Sequence, residues 1–279
     1  MSLAQASRTM LRTVALRAAH QRLEYPPIFA DPVAPQLVSE TLAGEVADTM
    51  GDDNLALRTI VALRSRFAED RLEEAAARNV TQYVMIGAGL ETFPWRQPVY
   101  AQKMHIFAAD HPSSLAWVRR CLQEQRFDIP ANLTMVPVDL EEDCIGDRLK
   151  AAGFDARVPA FCSALGLTQY LTRQALDRLI AFAATLAIGS EIVLSFVPIA
   201  ADLRDEDASF VARALKRVSA VGEPWKTRLS ASEFAGELRA HGFSDVFHLT
   251  PEAACTRYFA ARRDRITPPG FEQMISAVV

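Results

Sequence analysis

Cysteine, histidine and glycine are sparse in this chain, with 4, 5 and 12 residues among 279. The cysteines, Cys121, Cys144, Cys162 and Cys255, form no Cys-x-x-Cys pair. That spacing excludes the common zinc and dithiol motifs, and isolated thiols of this kind are expected to be buried and reduced. No metal site is expected. Basic charge is not in excess, since 30 Lys and Arg face 34 Asp and Glu for a net charge of −4. Nucleic acid and anionic membranes are therefore not expected as partners. No apolar run approaches the roughly 20 residues that span a bilayer, and no signal-peptide core with a small-residue cleavage site is recognisable. A cytoplasmic location is the expectation. Internal repeats and low-complexity stretches are also missing. What the chain has in quantity is apolar surface, 50% of its residues, enough for a substantial core in one large or two small α/β domains.

The most informative segment is Gln82-Tyr-Val-Met-Ile-Gly-Ala-Gly-Leu-Glu-Thr92. A short apolar run, Tyr83 to Ile86, breaks into Gly87-Ala88-Gly89. A second run, Ile106-Phe-Ala-Ala, ends on Asp110 about 20 positions further on. Strand, glycine turn and distant carboxylate are the parts of a nucleoside-binding crevice. The glycines admit a ligand close to the backbone, and the carboxylate accepts hydrogen bonds from ribose hydroxyls. The dinucleotide form of the turn has a third glycine, where this chain has Thr92, followed by Phe93-Pro94-Trp95. There is also no Gly-Lys-Ser/Thr phosphate loop. A nucleoside without phosphates, such as S-adenosylmethionine, suits the turn better than a dinucleotide.

With these segments in view, the chain resembles class I S-adenosylmethionine-dependent methyltransferases of the leucine carboxyl methyltransferase type, in particular the bacterial small-molecule branch that includes polyketide carboxyl methyltransferases. The matching segments run over roughly residues 7–260. They are Ser7-Arg-Thr9, Ala15-Leu-Arg17-Ala, Ile28-Phe-Ala-Asp31-Pro32, Arg64-Ser-Arg66-Phe-Ala-Glu-Asp70, the glycine turn, and Ala109-Asp110-His111-Pro112. Val138-Asp139-Leu140, Gly166-Leu-Thr168-Gln-Tyr170-Leu-Thr172, Gly222-Glu-Pro224-Trp225 and Gly242-Phe243 complete the set. The resemblance implies a Rossmann-like α/β sheet, mostly parallel, with a C-terminal antiparallel hairpin, helices on both faces and a helical lid. It also implies one domain over 1–279, with residues 1–78 as an N-terminal lid, 79–200 and 230–263 as core, and 201–229 as a lid insertion.

The alternation of patterns agrees with such a fold. Helical spacing predicts an amphipathic helix over 4–22, broken by Glu24-Tyr-Pro-Pro27, and a long helix over 53–78. Asp31 with Pro32 suits the start of a short helix. Strands are expected near 82–87, 105–110, 133–138, 159–165 and 190–197, separated by helices near 113–127, 141–151 and 172–187. Residues 201–221 read as a charged helix. Ser230 with Glu233 predicts a capping box opening a helix to about His241. The hairpin is expected from strands near 245–249 and 256–261. Phe107, Trp117 and Phe196 are assigned to the core.

The resemblance also distributes roles. Gly87, Ala88 and Gly89 would floor the methionyl part of S-adenosyl-L-methionine, the methyl donor that leaves as S-adenosyl-L-homocysteine. Asp110, with His111 beside it, would meet the ribose, and Asp139 and Leu140 the adenine. Arg64 would pair with the methionyl carboxylate, since a planar guanidinium binds carboxylates bidentately. Arg66 competes for that role, and helical geometry sets the two about 200° apart. Tyr170 follows the fourth strand on the acceptor side and is the candidate catalytic residue. Tyr25, Trp225 and Arg17 are candidates for the pocket wall. His20 and His111 lie in segments that can face the crevice, and neither is assigned as a base.

Three departures from the family pattern stand out. Leu165 occupies the place of a cofactor-binding glutamate, Ala108 that of an acidic residue, and Glu91 that of an aspartate. The expected activity is O-methylation of a small molecule, a carboxylate or hydroxyl of a secondary metabolite. The alternatives are a nicotinamide-dependent oxidoreductase and a methyltransferase-like binding protein without turnover. The oligomeric state is not legible.

Overall fold

The computed structural model describes residues 8–38, 40–220 and 222–279. Ser7, the first residue of the leading motif, lies outside them. The order of elements is α1 (Arg8–Leu23), α2 (Glu40–Thr49), α3 (Leu55–Ala77), β1 (Gln82–Ile86), β2 (His105–Asp110), α4 (Pro112–Glu124), β3 (Leu133–Pro137), α5 (Ile145–Ala151), β4 (Ala160–Ala164), α6 (Arg173–Ala184) and β5 (Glu191–Phe196). Then come α7 (Asp205–Ala220), α8 (Ala231–Ala240), β6 (Asp245–Leu249), the short α9 (Pro251–Ala254) and β7 (Gln273–Val278). The seven strands form one sheet in the order β3-β2-β1-β4-β5-β7-β6. The first five strands run parallel, and β7 pairs antiparallel with both β5 and β6.

Strand alternation divides the core. Tyr83 and Met85 of β1 join Ile60, Leu63, Phe67 and Leu72 of α3 on one face. Val84 and Ile86 point the other way, to Leu149 of α5, Leu176 and Leu179 of α6, and Phe234 and Leu238 of α8. This explains why the strands read as continuous apolar runs: both faces are covered. A side chain such as Phe67, fully buried, contributes roughly 1.5–3 kcal/mol relative to exposure. Phe107 and Phe196 are buried as expected, and Trp117 packs partly buried beside Val118 and Leu122 of α4. Ser230 and Glu233 form the expected capping box.

Two expected elements differ. Residues 256–261 are not a strand. Thr250 caps a helix with Pro251 at its first position, and the helix continues as a π-turn over Cys255–Phe259. The β-prone Thr256-Arg-Tyr-Phe259 made the local pattern look extended, but the cap and proline before it set a helical start. The hairpin partner of β6 is instead β7, the apolar run beginning at Met274, buried between two strands. The core therefore extends beyond 230–263. Likewise α5 starts only at Ile145, because Asp139 and its carbonyl hold residues 141–143 in a turn. Of the cysteines expected to be buried, Cys121 and Cys162 are, Cys255 is half-buried, and Cys144 is exposed.

Candidate active site

A cavity of about 420 Å³ opens at the carboxyl ends of β1, β2, β3 and β4. Ligand crevices of parallel sheets lie there, outside the strand ends. Its floor is the glycine turn. Gly87 and Gly89 hold φ of +67° and +52°, a left-handed backbone that side chains resist. A Cβ on Gly87 would also stand 2.9 Å from Leu167. No α-helix follows the turn. Phe93–Trp95 forms a single 3-10 turn, so the helix N-terminus that holds a pyrophosphate has no counterpart here.

Asp110 ends β2 beside this turn. Its Oδ2 accepts from the Gly89 N–H and its Oδ1 from the His111 N–H, both at 2.6 Å. Burial pushes its carboxyl up from the ordinary value despite these bonds. Asp110 thus pins the turn, a duty the sequence did not disclose; the Ser114 side chain also bonds the carboxylate, which as a four-site acceptor has capacity left for a ligand in the cavity it lines. Asp139 and Leu140, after β3, line the same wall. His111 Nδ1 accepts from the Ser113 N–H at 3.2 Å, which caps α4 and leaves the ring proton on Nε2, 3.7 Å from Asp139 Oδ2.

On the opposite wall, α3 presents Arg64 to the cavity and turns Arg66 to the surface. Arg66 pairs with Asp70 at 2.8 Å and lies over the Tyr258 ring. Of the two, Arg64 is therefore the one that lines the cavity. Ala88, Leu165 and Gly166 complete this end. Further lining comes from Thr9, Met10 and Thr13 of α1, from Tyr170, and from Gly222, Glu223 and Pro224. Thr9 Oγ1 donates to Glu223 Oε2, and the Tyr170 hydroxyl donates to Thr9 Oγ1 at 3.5 Å. Burial raises the Tyr170 phenol above its ordinary range, so it stays protonated and can donate a hydrogen bond.

The comparisons with known proteins agree with this geometry. The model of the family described as leucine carboxyl methyltransferase matches residues 10–184. The chain belongs to the leucine carboxyl methyltransferase family. It is an enzyme of the class I methyltransferase type. YktD of Bacillus subtilis (strain 168), named as an S-adenosyl-L-methionine-dependent methyltransferase, is 26% identical over 94% of this chain and 94% of its own. Rv3399 of Mycobacterium tuberculosis (strain H37Rv), named likewise, is 30% identical over 80% of this chain, which spans 65% of the relative's length. Among solved structures, a methyltransferase from Thermobifida fusca YX has the same fold with a TM-score of 0.59 and 15% identity, covering 94% and 93% of the two chains. A DUF574 family protein from Streptomyces avermitilis MA-4680 superposes with a TM-score of 0.58 and 16% identity, covering 95% and 96%.

The methyltransferase carries a second polar cluster, behind the glycine turn, that the sequence showed only in part. Arg17, on α1, is 3% exposed. Its Nη1 and Nη2 donate to the two oxygens of Glu91 at 2.8 and 2.7 Å, and its Nε donates to Asp31 at 2.9 Å. Thr92, in the place of a third glycine, donates to Asp31 at 2.8 Å and accepts from Arg96 at the same distance. Arg96 in turn donates to Glu69 at 2.7 Å and stacks over Phe29. Arg17 thus reaches the pocket wall as expected, with its guanidinium fully engaged. Arg96 belongs to no motif, and Glu69, although it lies within the Arg64–Asp70 segment, is 27 positions from it, so only folding reveals their pairing.

Burial raises the Glu91 carboxyl, but Arg17, Arg96 and the Thr92 N–H outweigh it and hold the value near 2. The ordinary value of 4.5 applies when the chain unfolds. A depressed carboxyl contributes stability above the unfolded value and loses it as pH falls through the folded one. We expect this contribution, at most about 3–4 kcal/mol at 1.36 kcal/mol per unit, to vanish between pH 4.5 and 2. Solvent screening trims it, since 19% of the side chain is exposed. Glu69, pushed up by burial, works in the opposite sense and offsets part of the loss. Urea unfolding of wild type and Glu91→Gln over this range checks the expectation. An unfolding free energy with the same pH slope in both proteins rules it out.

Two expected wall residues are elsewhere. Tyr25 is 90% exposed and does not line the cavity, because the Tyr25-Pro26-Pro27 turn projects from the surface. His20, on the last turn of α1, is fully buried, with Nδ1 donating to Glu24 at 2.9 Å and Nε2 accepting from the Ile28 N–H at 3.1 Å. Trp225 packs against the core next to Tyr170 and is not part of the lining.

Proposed function

We propose that the enzyme is an O-methyltransferase that transfers a methyl group from S-adenosyl-L-methionine to a carboxylate or hydroxyl of a small secondary metabolite. The methyl donor is S-adenosyl-L-methionine, whose sulfonium supplies a methyl group already activated for transfer when it is bound. One observation carries the assignment: Arg64, Asp110 and Asp139 line a single cavity from separate elements, around the glycine turn. The residues present fit a nucleoside joined to an amino acid. Arg64 Nε and Nη2 make no hydrogen bond among the described residues and are left for a carboxylate. Asp110 retains lone pairs for vicinal hydroxyls, and Asp139 with Leu140 offers an acceptor and an apolar wall for adenine. Leu165 replaces an acidic contact, so the donor's ammonium would be met by backbone carbonyls at the β4 end.

The remaining lining belongs to the acceptor. Helix α1 and residues 222–224 cover this end and act as the lid, excluding water. Positioning is the main catalytic contribution of the chain, since the donor is pre-activated. Tyr170, protonated, would turn its single hydroxyl proton from the long bond to Thr9 Oγ1, at 3.5 Å, to the acceptor oxygen and so orient it. A carboxylate acceptor is ionised at neutral pH and needs no base. The nicotinamide alternative is disfavoured by Thr92, whose hydroxyl is committed to Asp31, and by the missing helix N-terminus after the turn. The alternative without turnover predicts donor binding but no methylated product over a broad acceptor panel.

Calorimetric titration with S-adenosylmethionine, S-adenosylhomocysteine and NADH tests the assignment. Binding of the first two in the micromolar range is expected, and binding of NADH alone rejects it. Asp110→Ala should weaken S-adenosylhomocysteine by about 1–3 kcal/mol, the scale of hydrogen bonds at a charged group. Unchanged affinity removes Asp110 from the site.

A further inference from the structure

Glu272 stands immediately before β7, 208 positions from Arg64 and in no recognised motif. Its carboxylate is 9% exposed and meets Arg64 Nη1 at 3.1 and 3.2 Å through its two oxygens. Oε1 also accepts from the Ser195 hydroxyl at 2.6 Å, and that hydroxyl accepts from the Gly166 N–H at 2.6 Å. Ser195 is fully buried on β5. The chain Arg64–Glu272–Ser195–Gly166 therefore couples the arginine of the cavity to the backbone turn after β4. Gly166 has φ of +67°, and a Cβ there would stand 2.5 Å from Arg64 Nη1. The guanidinium lies directly on this turn, in the space a side chain would fill.

We propose that Glu272 is the positioning residue for the amino-acid end of the methyl donor, an inference that rests on the donor assignment above. Arginine is long, and its free side chain has about 2 kcal/mol of rotamer entropy to lose on binding. Glu272 removes that freedom in advance. It occupies Nη1 alone and so leaves Nε and Nη2, which make no hydrogen bond among the described residues, for a ligand in the cavity that Arg64 lines. Through Ser195 it also holds the turn whose carbonyls would meet the ammonium where Leu165 provides no acid. One carboxylate outside the lining thus supports both charged groups of the donor's amino-acid end. It does not touch the donor.

The test compares two ligands. S-adenosylhomocysteine has the amino-acid end, whereas 5′-methylthioadenosine lacks it. In Glu272→Leu, affinity for S-adenosylhomocysteine should fall about tenfold or more, the scale for hydrogen bonds to a charged group, while that for 5′-methylthioadenosine stays within about twofold. Glu272→Gln should rescue part of the loss, because its amide oxygen still accepts from Arg64 and Ser195. If Glu272→Leu does not fold, Ser195→Ala carries the test, with a loss of about threefold confined to S-adenosylhomocysteine. Parallel loss of both ligands marks a structural role and overturns the inference, as does no loss of either. Wild-type protein that binds neither ligand rejects the donor assignment instead.

Discussion

Arg17→Met is expected to lower the unfolding free energy by about 3–5 kcal/mol, the largest effect of any single substitution considered. The reason lies in what remains. Asp31 is fully buried and Glu91 nearly so, and Arg17 is the cation that both share. Methionine fills the volume of the stem but leaves two carboxylates without that partner. Arg96 reaches them only at 3.5 Å and is committed to Glu69. Loss of the pair also detaches α1 from the glycine turn, so the cavity opens from its lid side. Urea unfolding measures the cost, and a change below about 1 kcal/mol would mean that the cluster is a solvated surface feature. Adding Glu91→Gln to Arg17→Met should recover part of the stability, because one stranded charge is then removed. If the double variant is no more stable than the single, stranded charge is not the cause.

Arg64→Leu is expected to weaken S-adenosylhomocysteine by about 2–3 kcal/mol, some 30- to 150-fold, and 5′-methylthioadenosine hardly at all. A largely buried guanidinium that lines a cavity, with two nitrogens making no hydrogen bond among the described residues, favours an anion that takes them. Leucine removes that anion site and strands Glu272, so a moderate loss of stability accompanies the loss of affinity. Combining Arg64→Leu with Glu272→Leu should cost less than the two single losses added together, since the part of the Glu272 effect that runs through Arg64 is already gone and only its hold on the Gly166 turn is left to lose. Equal loss of both ligands in Arg64→Leu would take Arg64 out of the carboxylate role. Arg66→Leu is the control. That residue is 47% exposed at its side chain and bonds Asp70, so affinity should not change.

The extent to which the site was legible follows from how local each signal is. The glycine turn, Asp110 and Asp139 are readable because a strand end and the residues after it form one short segment. The choice between Arg64 and Arg66 is not, since helical period places them on different faces but does not say which face meets the cavity. That was decided by α3 packing its Leu63 and Phe67 on the sheet. His20 looked available and is a core histidine, because Glu24 and the Ile28 N–H engage both of its ring nitrogens. The misplaced hairpin strand has a similar origin. Thr256 to Phe259 has β propensity, but propensity is weak against a cap, a proline and a better strand further on.

The sequence alone determined that the chain is an α/β protein with a glycine-turn crevice, and it marked the residues at the strand ends that line it. Apolar periodicity and turn chemistry act over a few residues and survive in one dimension. Only the tertiary structure decided which arginine faces the cavity, which strand closes the sheet, and that Glu272, Ser195, Arg96 and Glu69 belong to polar clusters around the site. Those pairings join positions up to 208 residues apart. Their energies come from burial and shared hydrogen bonds, which exist only once distant segments have been brought together and water has been removed.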